Sequence, residues 1–448
     1  MNTSLKILST SLLCSAGMMA GSMGTAFAAG HCAMGSHDLP DLSGQSITIS
    51  GPWEGQDEKL VNSVIDCFET ATGASVAYSG SGEFEQLIVT DIRSGSAPNI
   101  AVFPQPGLAA DMASEGGLVP IGQDLADWMT KNYGAGQSWV DLGTYAGKDG
   151  ASSFYGFAYK VDLKSLVWFK PENFEDAGYE IPTSMEDLLA LSDKIVADGG
   201  TPWCLGIESG GATGWTATDW LEDIMLRTAS PEKYDMWVKN ELPFNSPEVI
   251  KAIEIFGSIA KNDAYVADGA SSVASTFFGD SPKGLFTTPP KCYMHRQASF
   301  IPAFFPNKGE ELASGEADFF YLPPFASMAD LGKPVLGAGT VWTMTKESDA
   351  THAFFDFLTK PVAHEIWMAQ TGFLTPHKGV NPDAYANDSL RKMGGILANA
   401  DTFRFDASDL MPGTIGAGAF WTEMTAFTQG QDAKTTADNI QAAWDKIK

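Results

Sequence analysis

Apolar and polar positions follow two alternating periods from Ser46 to Pro120. Ser46-Ile47-Thr48-Ile49-Ser50 alternates with period two, as a half-buried strand does. Residues 56–72 switch to a helical period, with Leu60, Val61, Val64, Ile65 and Phe68 on one face and Gly73 at the stop. The pair of patterns then recurs. A strand at Ser75–Ser79 precedes a helix at Glu83–Arg93 striped by Leu87, Ile88 and Ile92. A strand at Asn99–Phe103 precedes a helix at Leu108–Glu115, closed by Gly116-Gly117. This rhythm predicts a mostly parallel sheet with helices on its faces.

A second α/β region begins after Tyr155–Tyr159. Strands are expected at Leu166–Phe169 and Trp203–Ile207, and helices from the capping box Thr183-x-x-Glu186 to Val196 and over Thr216–Leu226. Ser246 before Pro247 opens another helix, carrying Ile250, Ile253, Phe256 and Ile259. Strands at Phe319–Leu322 and Val335–Thr345 precede a tail read as nearly all helical from Ser348 to Ile447. No long linker or repeat divides the chain, so two α/β lobes with several crossings are expected. Lobe 1 is placed at 29–158 plus about 319–345, and lobe 2 at 159–318 plus about 346–448. The crossings are expected near Ala158–Lys160, Ala317–Phe319 and either Thr345–Lys346 or Thr375, with a ligand cleft between the lobes.

Composition narrows the function. The 448 residues are 44% hydrophobic, which supports large cores and excludes wholesale disorder. Acidic residues number 55 against 28 basic ones, a formal charge of −27, so the basic footprint of a nucleic-acid binder is missing. A neutral, polar ligand meets no opposing field. Twelve Trp, 27 Phe and 11 Tyr supply many flat faces for such a ligand.

Residues 1–28 read as a secretory signal peptide: Lys6, an apolar run from Ile7 to Met19, and the cleavage site Ala26-Phe27-Ala28. The run is too short and too rich in Ser and Gly for a membrane anchor. Removal of Lys6 leaves 27 basic residues against 55 acidic, or −28, in an exported, soluble, periplasmic chain. Cys14 leaves with the leader, and Cys32, Cys67, Cys204 and Cys292 remain. An even count in an exported chain predicts two disulfides. Three pairings are possible; Cys32–Cys67 with Cys204–Cys292 is preferred because each bridge then stays within one lobe. No Cys-x-x-Cys pair exists to support a zinc site.

Catalytic motifs fail on inspection. His364-Glu365-Ile366-Trp367-Met368 has Met where a zinc protease needs its second His. Ser258-Ile259-Ala260-Lys261 lacks the Lys-Thr-Gly that accompanies this motif in penicillin-binding enzymes. Two carboxylates suited to glycoside hydrolysis are not singled out by any pattern.

Three ordered patterns resemble the periplasmic carbohydrate-binding proteins of ABC importers, of the maltose-binding type. The first runs Thr72-Gly73-Ala74-Ser75-Val76, then Gly95-Ser96-Ala97-Pro98-Asn99-Ile100, then Gly116-Gly117-Leu118-Val119-Pro120, with Asn99 where the family usually has Asp. The second is Tyr155-Gly156-Phe157-Ala158 through Trp168-Phe169-Lys170 to Ala177-Gly178-Tyr179-Glu180-Ile181-Pro182-Thr183. The third is Met411-Pro412-Gly413 through Ala419-Phe420-Trp421. The runs Trp53–Glu58 and Phe405–Pro412 look most like the α-glucoside-binding branch.

The resemblance implies a type II periplasmic-binding-protein fold whose two lobes close over a neutral sugar. Aromatic rings would pack on the apolar face of a pyranose, and carboxylates and amides would take its hydroxyls. By resemblance, the site takes Glu54 and Asp57 after the first strand, Glu83 after the second and Gln105 after the third. Trp215, Asp219 and Trp220 come from a cleft helix of the second lobe, and Gly339, Thr340 and Trp342 from a small-residue strand. Arg404 with Asp409, and Trp421 as a stacking ring, complete the set. Trp237 and Trp444 are assigned to packing. The implied protein is a monomeric receptor, without cofactor, metal or catalytic group, that delivers an α-glucoside to membrane permease subunits. Two rivals stand beside it: the same fold binding a polyol, a polyol phosphate or a cationic solute, and a periplasmic carbohydrate-active enzyme.

Overall fold

The computed structural model describes residues 32–447 apart from Gly82 and Thr371, so the leader read at 1–28 lies outside the described residues. Three strand–helix units open the chain. β1 (Ser46–Gly51) leads to α1 (Gly55–Thr72), β2 (Ser75–Gly80) to α2 (Phe84–Ser94), and β3 (Ile100–Phe103) to α3 (Pro106–Glu115). β1 pairs in parallel with β2 and with β3. Ile47 and Ile49 face the core, while β3 is buried along its length. α1 stops at Gly73, whose φ of +72° suits glycine, and a Cβ there would lie 2.6 Å from Ser43 Oγ.

Helices α4 (Gln123–Asn132) and α5 (Gly136–Leu142) precede β4 (Gly156–Leu163). The chain then crosses to the second lobe with β5 (Leu166–Phe169), α6 (Met185–Ala197), α7 (Trp215–Thr228), α8 (Pro231–Val238) and α9 (Pro247–Ala260). β5 lies between β6 (Met294–Arg296) and β7 (Asp318–Tyr321), antiparallel to both. β8 (Val335–Met344) returns to the first sheet, antiparallel to β3 and to β4. After α10 (Asp349–Leu358), α11 (Pro361–Met368) and α12 (Asp388–Ala398), β9 (Phe403–Phe405) pairs in parallel with the start of β8. The chain recrosses into α13 (Ala407–Leu410), a π-helical turn at Thr414–Phe420, α14 (Trp421–Thr428) and α15 (Ala433–Trp444).

The crossings therefore lie at 163–166, 322–335 and 405–407, not at the expected positions. β4 runs four residues past Tyr159, to Leu163, which moves the first crossing. The helices at 349–368, expected in the second lobe, pack on the first. Phe354 and Phe357 meet Phe68 at ring distances of 5.0 and 5.6 Å, and Trp367 meets Trp53 at 5.2 Å. The outgoing end of β8 delivers them there. The tail also contains a strand, β9, that joins the first sheet.

Two local expectations shift for physical reasons. Ser184, not Thr183, caps α6, accepting from the Asp187 amide at 3.0 Å, and Glu186 reaches out to the Ala326 amide. Trp203 makes isolated bridges to Val266 and Met294, so Trp203–Ile207 forms no regular strand. Cys32–Cys67 and Cys204–Cys292 form the two disulfides. Gly284 packs on the second bridge so closely that a Cβ would lie 2.4 Å from Cys292 Sγ.

Candidate functional site

Three loops follow the carboxyl ends of β1, β2 and β3, the place where α/β folds gather ligands. Glu54 and Glu83 occupy the entry positions of α1 and α2, yet neither side chain caps its helix, and both are exposed, as is Asp57. Gln105 enters α3 half-buried, and its Oε1 is buried with no hydrogen-bond partner. Thr340 lies next to Val341, which pairs with Phe103 at the end of β3. It is 8% exposed, and its Oγ1 also has no partner.

In the second lobe, the first turns of α7 and α14 meet. A Cβ on Gly214 would lie 2.3 Å from Trp421 O, so glycine lets the two helix starts touch. Trp421 is half-buried with an unpartnered Nε1. Trp215 is half-buried against Phe278 at 5.0 Å and Phe300 at 6.0 Å. Residues 408–411 join the walls: a Cβ on Gly107 would lie 3.1 Å from Asp409 O, and Ser408 Oγ is 3.4 Å from Thr218 Oγ1. Buried polar atoms are normally paired. Gln105 Oε1, Thr340 Oγ1 and Trp421 Nε1 are among the exceptions.

Beneath this cleft, α7 ties the three crossings together with buried charge. Lys164, in the first crossing, bonds Asp219 at 2.7 Å and Asp406 of the third crossing. Ser165 donates to Asp223 at 2.8 Å, and Arg296 reaches Asp223 at 2.8 Å and Asp219 at 3.5 Å. Arg227 pairs with Asp223 and donates to Leu322 O, at the second crossing, at 2.6 Å. Glu222 accepts from the Ser408 amide at 2.9 Å. Burial pushes the Glu222 carboxyl well up, with Asp406 reinforcing it. Against the opposing effect of burial, Lys164 holds Asp406 well below the usual carboxylate range, and the surrounding carboxylates hold Lys164 well up. Asp219, Glu222 and Asp406 bring carboxylate oxygens within 4.8 Å of one another, but Lys164 already supplies the positive charge there.

Burial also raises Asp219, to about 7, against the pull of Lys164 and Arg296. A carboxyl raised on folding contributes stability that is full below its ordinary value of 3.8 and is lost as pH rises to about 7. Urea unfolding at pH 5 and 7.5 is expected to show a shallower fall with rising pH in Asp219→Asn than in the parent. An equal or steeper fall in the variant contradicts this.

Several expected site residues lie elsewhere. Trp220 is buried against Trp203 and Phe256, because its place on α7 faces the second-lobe core. Trp342 is buried among Trp53, Tyr159 and Phe354 on the inner face of β8. Asp219 is sealed in the crossing network rather than open to the cleft. Gly339 packs on β4, where a Cβ would lie 2.4 Å from Lys160 O. Arg404 pairs with Asp235 at 2.6 and 2.9 Å and lines a different interlobe cavity of about 770 Å³, shared with Ser138, Lys239 and Leu410. Asp409 stays half-buried beside the Gly107 loop. The ion pairs of Lys164 and the ring of Phe278 beside Trp215 left no signal in the sequence. A lysine two residues before an apolar strand resembles ordinary surface charge, and a Phe-Phe pair resembles core.

Known proteins share this architecture. The solved structure of the bacterial solute receptor AcbH superposes with a TM-score of 0.73 at 18% identity, covering 91% of this chain and 98% of that one. A chitin oligosaccharide binding protein gives 0.71 at 16%, covering 90% and 98%. In sequence, the alpha-glucosides-binding periplasmic protein AglE of Rhizobium meliloti is 59% identical over 91% of this chain and 89% of its own length. The osmoprotective compounds-binding protein GgtB of Synechocystis is 42% identical over 90% and 93%. The family model for bacterial extracellular solute-binding proteins matches residues 55–365, the stretch that builds most of both lobes and the first two crossings. With these two lobes and the cleft between them, the chain belongs to the bacterial extracellular solute-binding protein family.

Proposed function

We propose that this chain is the periplasmic receptor of an ABC importer, that it takes a neutral α-glucoside in the cleft between Gln105–Thr340 and Trp215–Trp421, and that it hands the sugar to membrane permease subunits as a monomer. Support for the reading comes from the unpartnered polar atoms on Gln105, Thr340 and Trp421 and from the half-buried rings of Trp215 and Trp421. A pyranose offers hydroxyls to the first and C–H faces to the second. The 59% identity to a protein named for α-glucosides supports the same ligand class. Only the closed arrangement lets both walls contact one sugar, so binding favours closure.

The carboxylates of Glu54, Asp57 and Glu83 would also suit a cationic solute, and a thermal-shift screen separates the two. Ligand at about 100 times its Kd stabilises the folded chain by about 2.7 kcal/mol. Maltose, sucrose or trehalose is expected to raise Tm, while amines and phosphorylated polyols leave it in place. A shift with amines alone overturns the sugar assignment.

A further inference from the structure

Beyond Trp215, the second lobe carries a row of partly exposed rings at the margin of the core. Phe278 stands 5.0 Å from Trp215, 5.1 Å from Phe304 and 4.7 Å from Phe277. Phe277 ends the row with 37% of its surface exposed, while Phe278 and Phe304 are half-buried. The backbone is shaped around them. The Phe278 amide bonds Glu208 O at 3.0 Å, and a Cβ on Gly279 would lie 2.4 Å from the Phe304 ring. Lys283, just beyond, is paired with Asp280 at 2.5 Å, and Lys164, 5.6 Å from the Trp215 ring, is paired with Asp219 and Asp406. A contiguous run of uncharged aromatic faces that starts inside a ligand cleft and reaches the surface marks a place for an uncharged, flat-faced occupant.

We infer that Phe277, Phe278 and Phe304 form a second stacking subsite for a further pyranose ring, continuous with Trp215, so that the receptor binds a tri- or longer saccharide more tightly than a disaccharide. This rests on the carbohydrate reading above. The occupant follows from continuity: a chain of sugars seated at Trp215 extends along the same faces, and the one ammonium over Trp215, that of Lys164, is already held by Asp219 and Asp406.

Calorimetric titration with maltose, maltotriose and maltotetraose, with trehalose and sucrose as short controls, tests it. The parent chain is expected to prefer the longer maltosaccharides. Phe277→Ala and Phe304→Leu should each cut the affinity for maltotriose about five- to tenfold while leaving maltose within about twofold. The urea midpoint confirms that each variant is folded. Equal affinity for all lengths in the parent, binding of disaccharides alone, or an equal loss for maltose and maltotriose in the variants overturns the subsite while the sugar reading stands. Failure of the parent chain to bind any of the five sugars removes both.

Discussion

Replacing Lys164 by Met is expected to lower stability at pH 7 by about 3–5 kcal/mol, the range for removing one partner of a buried ion pair. The ammonium is the common partner of Asp219 and Asp406, and all three groups are buried. Without it, two carboxyls face each other with Glu222 close by, and at least one must take up a proton or draw in water. Methionine keeps much of the length of lysine, so the loss reports charge more than volume. The deficit should shrink towards pH 5, where carboxyls protonate more readily. Adding Asp406→Asn to Lys164→Met should recover part of the loss. Urea unfolding of the parent, both single variants and the double variant gives the coupling directly. A loss under about 1 kcal/mol, or no recovery in the double variant, would show that the crossings do not depend on this charge.

Replacing Trp421 by Ala is expected to weaken α-glucoside binding by about 2 kcal/mol or more, roughly 30-fold, as for a central aromatic anchor. The ring is half-buried, its Nε1 has no partner, and its carbonyl is held against Gly214 at the start of α7. Trp342 provides the contrast. It is buried among rings, so Trp342→Ala should lower stability by about 3–5 kcal/mol through a cavity. Titration beside urea unfolding separates the two outcomes. An unchanged Kd in Trp421→Ala removes that ring from the site.

Short-range physics made much of the fold legible. The alternation at Ile47 and Ile49, the stop at Gly73 and the opening at Ser246-Pro247 each depend on neighbours within a turn or two, and each element forms where the pattern puts it. The resemblance placed Glu54, Glu83 and Gln105 in the loops after the first three strands, and each does stand at the entry of the helix that follows. Facing directions were harder to read. Trp215 and Trp220 look alike along the chain, but one ring is half-buried against Phe278 and the other fills the core. Apart from the two disulfides, long-range partners were not legible. Lys164 meets Asp406 across 242 residues, and Arg404 meets Asp235 across 169. No local pattern records such pairs, so the charge network that ties the crossings together was invisible until the chain was folded.

The most direct test of the central claim is calorimetric titration of the mature chain with paired α- and β-glucosides, followed by recovery of the sugar. The account predicts saturable one-to-one binding of an α-glucoside, much weaker binding of its β-counterpart, and return of the sugar unhydrolysed. Absence of saturable binding by every α-glucoside, or release of free glucose from the bound one, would contradict it.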